Sequence, residues 1–215
     1  MAFIVPTITT ADVAEFQKQI QEDRQLSRRI QVDISDGTFA SSVLAPLDQI
    51  QFPPDSQIDL HMMTAKPSQY LAKIIELKPS LCILHVESDD DLAGAAAQLH
   101  AQGIKVGYAL LKGTFPGKYR DLLASANHVM IFAGALGQQG GAIDMMQTEK
   151  IPLIKAISPA AEIGWDGGAN LSNVRALARA GVDVINVGSG LSQASDKPAM
   201  FQSLIAECDK KGVLI

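Results

Sequence analysis

The chain has few of the features that mark secreted, membrane-bound or disulfide-stabilised proteins. It contains only two cysteines, Cys82 and Cys208, and they lie far apart in the sequence. This pair is too small for a disulfide framework, so we expect two reduced thiols. No apolar run approaches the ~18 residues of a membrane span, and the first residues lack the basic start and apolar segment of a signal peptide. We therefore expect a cytoplasmic protein that has no membrane partner.

The chain also lacks a basic segment. Lysine and arginine number 18 against 23 acidic residues, which gives a formal net charge of -5. A nucleic-acid partner is therefore not expected. Hydrophobic residues, in contrast, make up 47% of the 215 residues, enough for a large core. Because no linker or change in composition divides the chain, we expect residues 1–215 to form a single domain.

Short β-rich runs alternate with segments whose apolar residues recur at helical spacing. The eight predicted strands are Phe3–Ile8, Ile30–Ile34, Gln57–Met62, Leu81–Val86, Lys105–Leu111, His128–Phe132, Glu162–Trp165 and Asp183–Val187. Eight β/α units in a chain of this length predict an α/β fold, a single-domain TIM (β/α)₈ barrel. The alternative is an open doubly wound sheet, but such a sheet usually carries a glycine fingerprint after its first strand. The segment Pro6–Thr10 contains no glycine.

Two local patterns refine this prediction. Asp12 followed by Glu15 has the form of a capping box, so a helix should begin after the first strand. The segment between the second and third strands contains Pro46, Pro53 and Pro54. Because proline interrupts helices, we expect a short helix and irregular loop there.

In a barrel of this kind, reacting groups project from the C-terminal ends of the strands. Gln31, Asp33 and Ser35 share one face of the second strand. An aspartate that points into a barrel is costly to keep charged without a cation, a strong donor or a catalytic role. Asp166 stands at the end of the seventh strand. These two carboxylates are therefore the first candidates for proton transfer.

Glycine-rich segments follow the last two strands, at Gly164–Gly168 and Asn186–Gly190. Glycine lets backbone N–H groups approach a phosphate closely because no Cβ stands in the way. The pattern indicates an enzyme that binds a phosphorylated small molecule and moves protons on it.

Five segments resemble, in their order and spacing, the ribulose-phosphate 3-epimerase family of ribulose-phosphate-binding barrels. They are Gln31–Gly37, Asp59–Met63, Leu84–Glu87, Trp165–Gly168 and Gly188–Ser189. The resemblance implies an isomerase that binds a ketopentose 5-phosphate and inverts its C3 centre. The leading reaction is the conversion of D-ribulose 5-phosphate to D-xylulose 5-phosphate, a step of the pentose phosphate pathway of carbohydrate metabolism. It also implies a homo-oligomer.

The same resemblance implies roles for individual residues. Asp33 and Asp166 match the acid/base pair, and Asp33, His61 and Asp166 match three of the four ligands of a divalent metal, which could be Zn, Mn, Mg or Fe. The residues expected to contact the substrate and its phosphate are Thr10, His61, Gly137, Gly140, Gly141, Gly167, Gly168, Gly188 and Ser189.

The fourth metal position differs from the family. Gln31 stands where the family has histidine, and an amide oxygen is a neutral and weaker ligand than imidazole for zinc. We therefore expect weak metal binding or none, with selectivity shifted toward Mn²⁺ or Mg²⁺. If the metal has been lost, the chain is a catalytically impaired, epimerase-like protein that binds phosphosugars.

Other interpretations of these residues remain open. A related barrel lyase would carry a lysine on the third strand, but the chain has Asp59-Leu60-His61 there. His61 could be a core histidine, and Lys112 could form a Schiff base or simply be solvated. His85 and Glu87 are expected to support the rim of the barrel rather than to belong to the site.

Overall fold

The computed structural model describes residues 2–134, 136 and 142–210. In this part of the chain, eight parallel strands close into one barrel in sequence order, so the predicted TIM barrel is confirmed. The strands are β1 (Phe3–Ile8), β2 (Arg29–Ser35), β3 (Gln57–Met63), β4 (Leu81–His85), β5 (Lys105–Leu110), β6 (His128–Phe132), β7 (Glu162–Asp166) and β8 (Val184–Val187). Each predicted strand is present, with ends that differ by one residue at most.

Helices on the outside connect the strands. They are α1 (Val13–Leu26), α2 (Leu71–Leu77), α3 (Leu92–Ala101), α4 (Arg120–Ala124), α5 (Lys150–Ile157), α6 (Val174–Ala180), α7 (Ser189–Ser192) and α8 (Lys197–Cys208). The side chain of Asp12 accepts a hydrogen bond from the N–H of Glu15, which confirms the predicted start of α1. Between β2 and β3 the described helical structure is one 3₁₀ turn, Leu47–Gln49, as the prolines indicated.

A partly buried ionic network lies at the N-terminal end of the barrel. Arg29 Nε lies 2.7 Å from Asp59 Oδ2, and its Nη2 lies 2.8 Å from Glu162 Oε2. Above this network, an apolar cluster made of alternating residues of β4, β5 and β6 fills the interior: Leu81, Ile83, Ala109 and Met130. The polar side chains at the opposite, C-terminal end of the strands are therefore separated from this network by a packed layer.

Cys82 and Cys208 are buried free thiols, as expected. Burial raises the pKa of Cys82 to about 12, so this thiol stays protonated at neutral pH. Within the described residues, every helix is too short or too polar to cross a membrane.

Candidate active site

Two carboxylates and one imidazole from three strands meet at the C-terminal end of the barrel. Asp33 on β2 pairs in register with His61 on β3, and alternation turns both side chains inward. His61 Nδ1 lies 3.0 Å from Asp33 Oδ1 and 3.7 Å from Asp166 Oδ2. One ligand atom from each residue lies within 4.8 Å of the other two. The structure thus brings together the three residues that the sequence proposed as metal ligands.

Gln31 occupies the space between the two carboxylates. Its Nε2 donates to Asp33 Oδ1 at 2.9 Å and to Asp166 Oδ2 at 2.6 Å. The Gln31 side chain is fully buried, and its Oε1 has no hydrogen-bond partner among the described residues. The amide therefore supplies two donors to the acidic pair and leaves one acceptor beside it without a partner.

The proximity of these charges changes their proton affinities. Burial, together with the nearby Asp33 carboxylate, raises the pKa of Asp166 to about 6. Burial by itself would lower the pKa of His61, but the hydrogen bond and charge of Asp33 outweigh it and the pKa is raised. A carboxylic acid with a pKa near neutrality can give and take a proton under physiological conditions, which is what acid/base catalysis requires.

Strand β1 and the segment after it contribute two threonines that the sequence analysis did not single out. Thr9 Oγ1 donates to Asp33 Oδ2 at 2.7 Å. Thr7 pairs in register with Gln31, and its buried hydroxyl has no partner among the described residues. Thr10, the residue proposed for substrate binding, accepts from the N–H of Asp12 at the start of α1, and its contact with the substrate stays a prediction. Inward alternation along β1 would have indicated Thr7 and Thr9 as well.

The described glycines after β6, β7 and β8 lie close together and form a rim. Gly167 has a φ of +110°, and a Cβ at this position would lie 2.1 Å from the backbone nitrogen of Gly134. A Cβ at Gly190 would lie 3.4 Å from the carbonyl oxygen of Ala169, which places the β8 loop against the β7 loop. The predicted Gly168, Gly188 and Ser189 belong to this rim, whereas Gly137, Gly140 and Gly141 lie outside the described residues.

His85 and Glu87, which the sequence analysis left outside the site, are connected to it. His85 Nε2 lies 2.9 Å from His61 Nε2, and His85 Nδ1 lies 3.4 Å from Glu87 Oε2. Burial lowers the pKa of His85 to about 4. Lys112, in contrast, is exposed at the rim.

The donor set fits a divalent cation. Two carboxylates and an imidazole nitrogen are ligands that Zn²⁺ and Mn²⁺ both accept. A half-turn of the Gln31 amide would exchange Nε2 with the partnerless Oε1 and direct an oxygen at the same point. Without a cation, the amide nitrogen and the imidazole bridge the carboxylates instead. The same residues can therefore hold a cation or, without one, bond to one another. In the cation-bound state the Gln31 oxygen would be a weak, neutral ligand.

A comparison with protein families decides between the barrels that this geometry allows. The model of the ribulose-phosphate 3 epimerase family matches residues 3–192. The chain belongs to this family. The predicted class of enzyme, an isomerase of the epimerase type, is therefore confirmed at the level of the family.

Named relatives are similar to this chain over nearly its full length. The ribulose-phosphate 3-epimerase of Aquifex aeolicus is 27% identical over 212 residues, which cover 95% of this chain and 96% of that protein. The ribulose-phosphate 3-epimerase of Mycobacterium leprae is 26% identical and covers 94% and 92%.

Solved structures share the barrel at much lower identity. KGPDC from Streptococcus mutans aligns with a TM-score of 0.73 at 9% identity and covers 96% of this chain and 97% of its own. The 3-hexulose-6-phosphate synthase of Salmonella typhimurium aligns with a TM-score of 0.69 at 12% identity, covering 95% and 97%. These structures establish the fold alone.

Proposed function

We propose that this member of the family is a ribulose-phosphate 3-epimerase that interconverts D-ribulose 5-phosphate and D-xylulose 5-phosphate. One observation carries the proposal: two inward carboxylates from different strands, Asp33 and Asp166, meet beside His61 at the C-terminal end of the barrel. Inversion at C3 requires a base on one face of the carbon and an acid on the other, and the two exchange roles when the reaction reverses.

The residues around the pair support both roles. The N–H groups of Gln31 hold the two carboxylates in place, and the hydroxyl of Thr9 holds the second oxygen of Asp33. The raised pKa of Asp166 lies close to neutral pH, so that this carboxyl can take up and release a proton while Asp33 acts as its counterpart. The described glycines Gly168 and Gly188, with Ser189, offer backbone N–H groups for the phosphate of the substrate.

A divalent cation would be held by Asp33, His61 and Asp166, with the oxygen of Gln31 as a fourth, weaker ligand. When bound, such a cation stabilises the negative charge that develops on the enediolate oxygens. Because a neutral amide replaces an imidazole, we expect Mn²⁺ or Mg²⁺ to bind loosely enough for mild chelation to remove it. The location in the cytoplasm and the homo-oligomer stay predictions.

The second candidate is a phosphosugar-binding protein with impaired catalysis. It is favoured by the Gln31 amide, which occupies the position between the carboxylates and bridges them by hydrogen bonds without a metal. The two candidates differ in turnover, because a binding protein needs neither carboxylate for proton transfer.

Substitution of either aspartate tests the proposal. Asp33→Asn and Asp166→Asn should each lower kcat for D-ribulose 5-phosphate by at least about 10²-fold, as is typical for loss of a general acid or base. The matched control is Asp183→Asn, at the opposite end of the barrel, where the asparagine can still accept from the N–H of Ile163. Its kcat should stay within about twofold of the parent, since surface changes away from a site have small effects. Activity that persists in both site variants would exclude the pair.

A further inference from the structure

A chain of buried polar side chains leads from the candidate metal site into the wall of the barrel. His61 and His85 are both fully buried, and their Nε2 atoms are 2.9 Å apart. Phe39 and Phe132 enclose the His85 ring, with centroids 4.7 and 5.9 Å away. Beyond His85 the chain ends at the Glu87 carboxylate. Protein atoms therefore surround both imidazoles, and their protons must be shared within the chain.

The distances limit where these protons can be. Two ring nitrogens 2.9 Å apart need one proton between them, because two lone pairs or two N–H groups would repel. On the far side, His85 Nδ1 and Glu87 Oε2 face each other at 3.4 Å, within ion-pair distance, and neither atom has a hydrogen-bond partner among the described residues. A carboxylate can only accept. The N–H of His85 therefore belongs on Nδ1, facing Glu87.

The position of this proton determines the others. With its N–H on Nδ1, His85 presents the lone pair of Nε2 to His61. His61 must then donate through its own Nε2, which leaves Nδ1 as the nitrogen for a cation. Without a cation, the N–H of Nδ1 donates to Asp33 Oδ1 at 3.0 Å, and a bound cation would take the place of that proton while Nε2 keeps its own. A metal-bound histidine needs this tautomer, and such histidines commonly donate their second N–H to a supporting group.

We propose that Glu87 is a positioning residue that acts through His85 to hold His61 in the tautomer whose Nδ1 can bind a divalent cation. This inference deepens the proposed function, since it rests on the cation site of the epimerase. It gives His85 and Glu87 a shared task, because within the described residues His85 contacts His61 and Glu87 lies on the far side of His85.

The surroundings of Glu87 allow this proton order to be inverted. Its other oxygen, Oε1, accepts from the backbone N–H of Leu111 at 2.9 Å and from the hydroxyl of Thr114. In Glu87→Gln, the fixed N–H of Leu111 requires the amide oxygen to stay at that position. The amide NH₂ then faces His85 Nδ1 and donates to it. His85 must carry its proton on Nε2, and His61 is left with its proton on Nδ1, the nitrogen that the cation needs.

Two measurements test this inversion without an activity assay. In long-range ¹H–¹⁵N spectra of the metal-free full chain, the four histidines can be separated, and the parent should keep a proton on Nε2 of His61. Glu87→Gln without metal should show the Nδ1–H tautomer. Titration calorimetry with Mn²⁺ should give a Kd about 10- to 100-fold weaker in this variant, the usual effect of losing a supporting contact.

Two further variants serve as controls. Glu76→Gln changes an exposed glutamate and should leave the Kd unchanged. His85→Leu interrupts the chain, so adding Glu87→Gln to it should cause no further loss of affinity. If His85→Leu does not fold, the isosteric Glu87→Gln still decides the matter by itself.

An unchanged His61 tautomer and Mn²⁺ affinity in Glu87→Gln would overturn the inference, even if its melting temperature falls. Failure of the parent protein to bind Mn²⁺ or Zn²⁺ would overturn it as well. The proposed function fails separately: a parent that binds Mn²⁺ with the expected tautomer but does not epimerise D-ribulose 5-phosphate would refute the activity and leave this role of Glu87 standing.

Discussion

The chemistry of this barrel depends on Gln31. The amide donates to Asp33 and Asp166 through one nitrogen and keeps a buried oxygen without a partner among the described residues. Two buried carboxylates so close together need a positive or hydrogen-bonding group between them. Gln31 supplies that group in the absence of a cation and competes with the cation for the same place.

A histidine at this position should therefore restore tight metal binding. Gln31→His adds an imidazole to the three ligands already present and removes the donor that competes with the cation, so the Kd for Zn²⁺ should fall by at least about tenfold. Gln31→Leu, which removes both amide atoms and adds no ligand, is the control and should not tighten binding. Calorimetry on chelator-treated protein measures both. An unchanged Kd in Gln31→His would mean that the three ligands do not converge on a cation.

The raised pKa of Asp166 predicts a pH dependence of stability in the metal-free protein. Because burial and Asp33 raise this pKa from 3.8 to about 6, the folded state binds the proton more tightly than the unfolded state. The contribution of Asp166 to stability is therefore present below about pH 4 and is lost as the pH rises through about 6, on the order of 1–3 kcal/mol.

Urea unfolding of metal-free protein between about pH 4 and pH 7 checks this sign. Asp166→Asn cannot ionise, so the difference in unfolding free energy between variant and parent should grow in favour of the variant over this range. Added Mn²⁺ should remove the advantage, because the cation stabilises the ionised carboxylate. A difference that stays constant across the range would show that Asp166 ionises normally.

At the scale of elements, the loops after β6 and β7 touch through their backbones. Gly167 adopts a φ of +110°, and a Cβ there would lie 2.1 Å from the nitrogen of Gly134. Such a contact requires the backbone to move, and the positive φ adds strain for any L side chain. Position 167 therefore requires glycine for steric reasons, in addition to its proposed place beside the phosphate.

Gly167→Ala should lower the free energy of unfolding by at least about 1–3 kcal/mol, the range for a residue forced into a disfavoured conformation. Because the displaced loop adjoins Asp166, KM for D-ribulose 5-phosphate should also rise. Gly113→Ala is the matched control, since a Cβ there meets nothing within 4 Å. Its stability should change by less than about 0.5 kcal/mol. Equal stability of the two variants would contradict the close contact.

At the scale of the whole molecule, the barrel could be predicted because each strand carries its own signal. Apolar runs of strand length, separated by helical spacing, indicated the number and order of strands to within one residue at their ends. Asp33, His61 and Asp166 could be proposed because strand ends of a barrel converge on one face.

Other parts of the site depend on contacts between distant segments, which the sequence does not display. The bond from Thr9 to Asp33 requires the register of β1 against β2, and the link from His61 to His85 requires the register of β3 against β4. The hydrogen bond from the N–H of Asp12 to Thr10 also appears only in the folded chain, at the start of α1. The donor role of the Gln31 amide could be seen only once both carboxylates were in place.

The proposed reaction requires Asp33 and Asp166 to act as base and acid on opposite faces of C3 of a ketopentose 5-phosphate. Proton exchange with solvent tests this claim most directly. The protein is incubated with D-ribulose 5-phosphate in D₂O containing Mn²⁺, and the sugars are examined by NMR. We predict one deuterium at C3 of the D-xylulose 5-phosphate formed, with incorporation slowed by at least about 10²-fold in Asp33→Asn and Asp166→Asn. Recovery of D-ribulose 5-phosphate with its C3 proton intact and no epimer formed would contradict the claim.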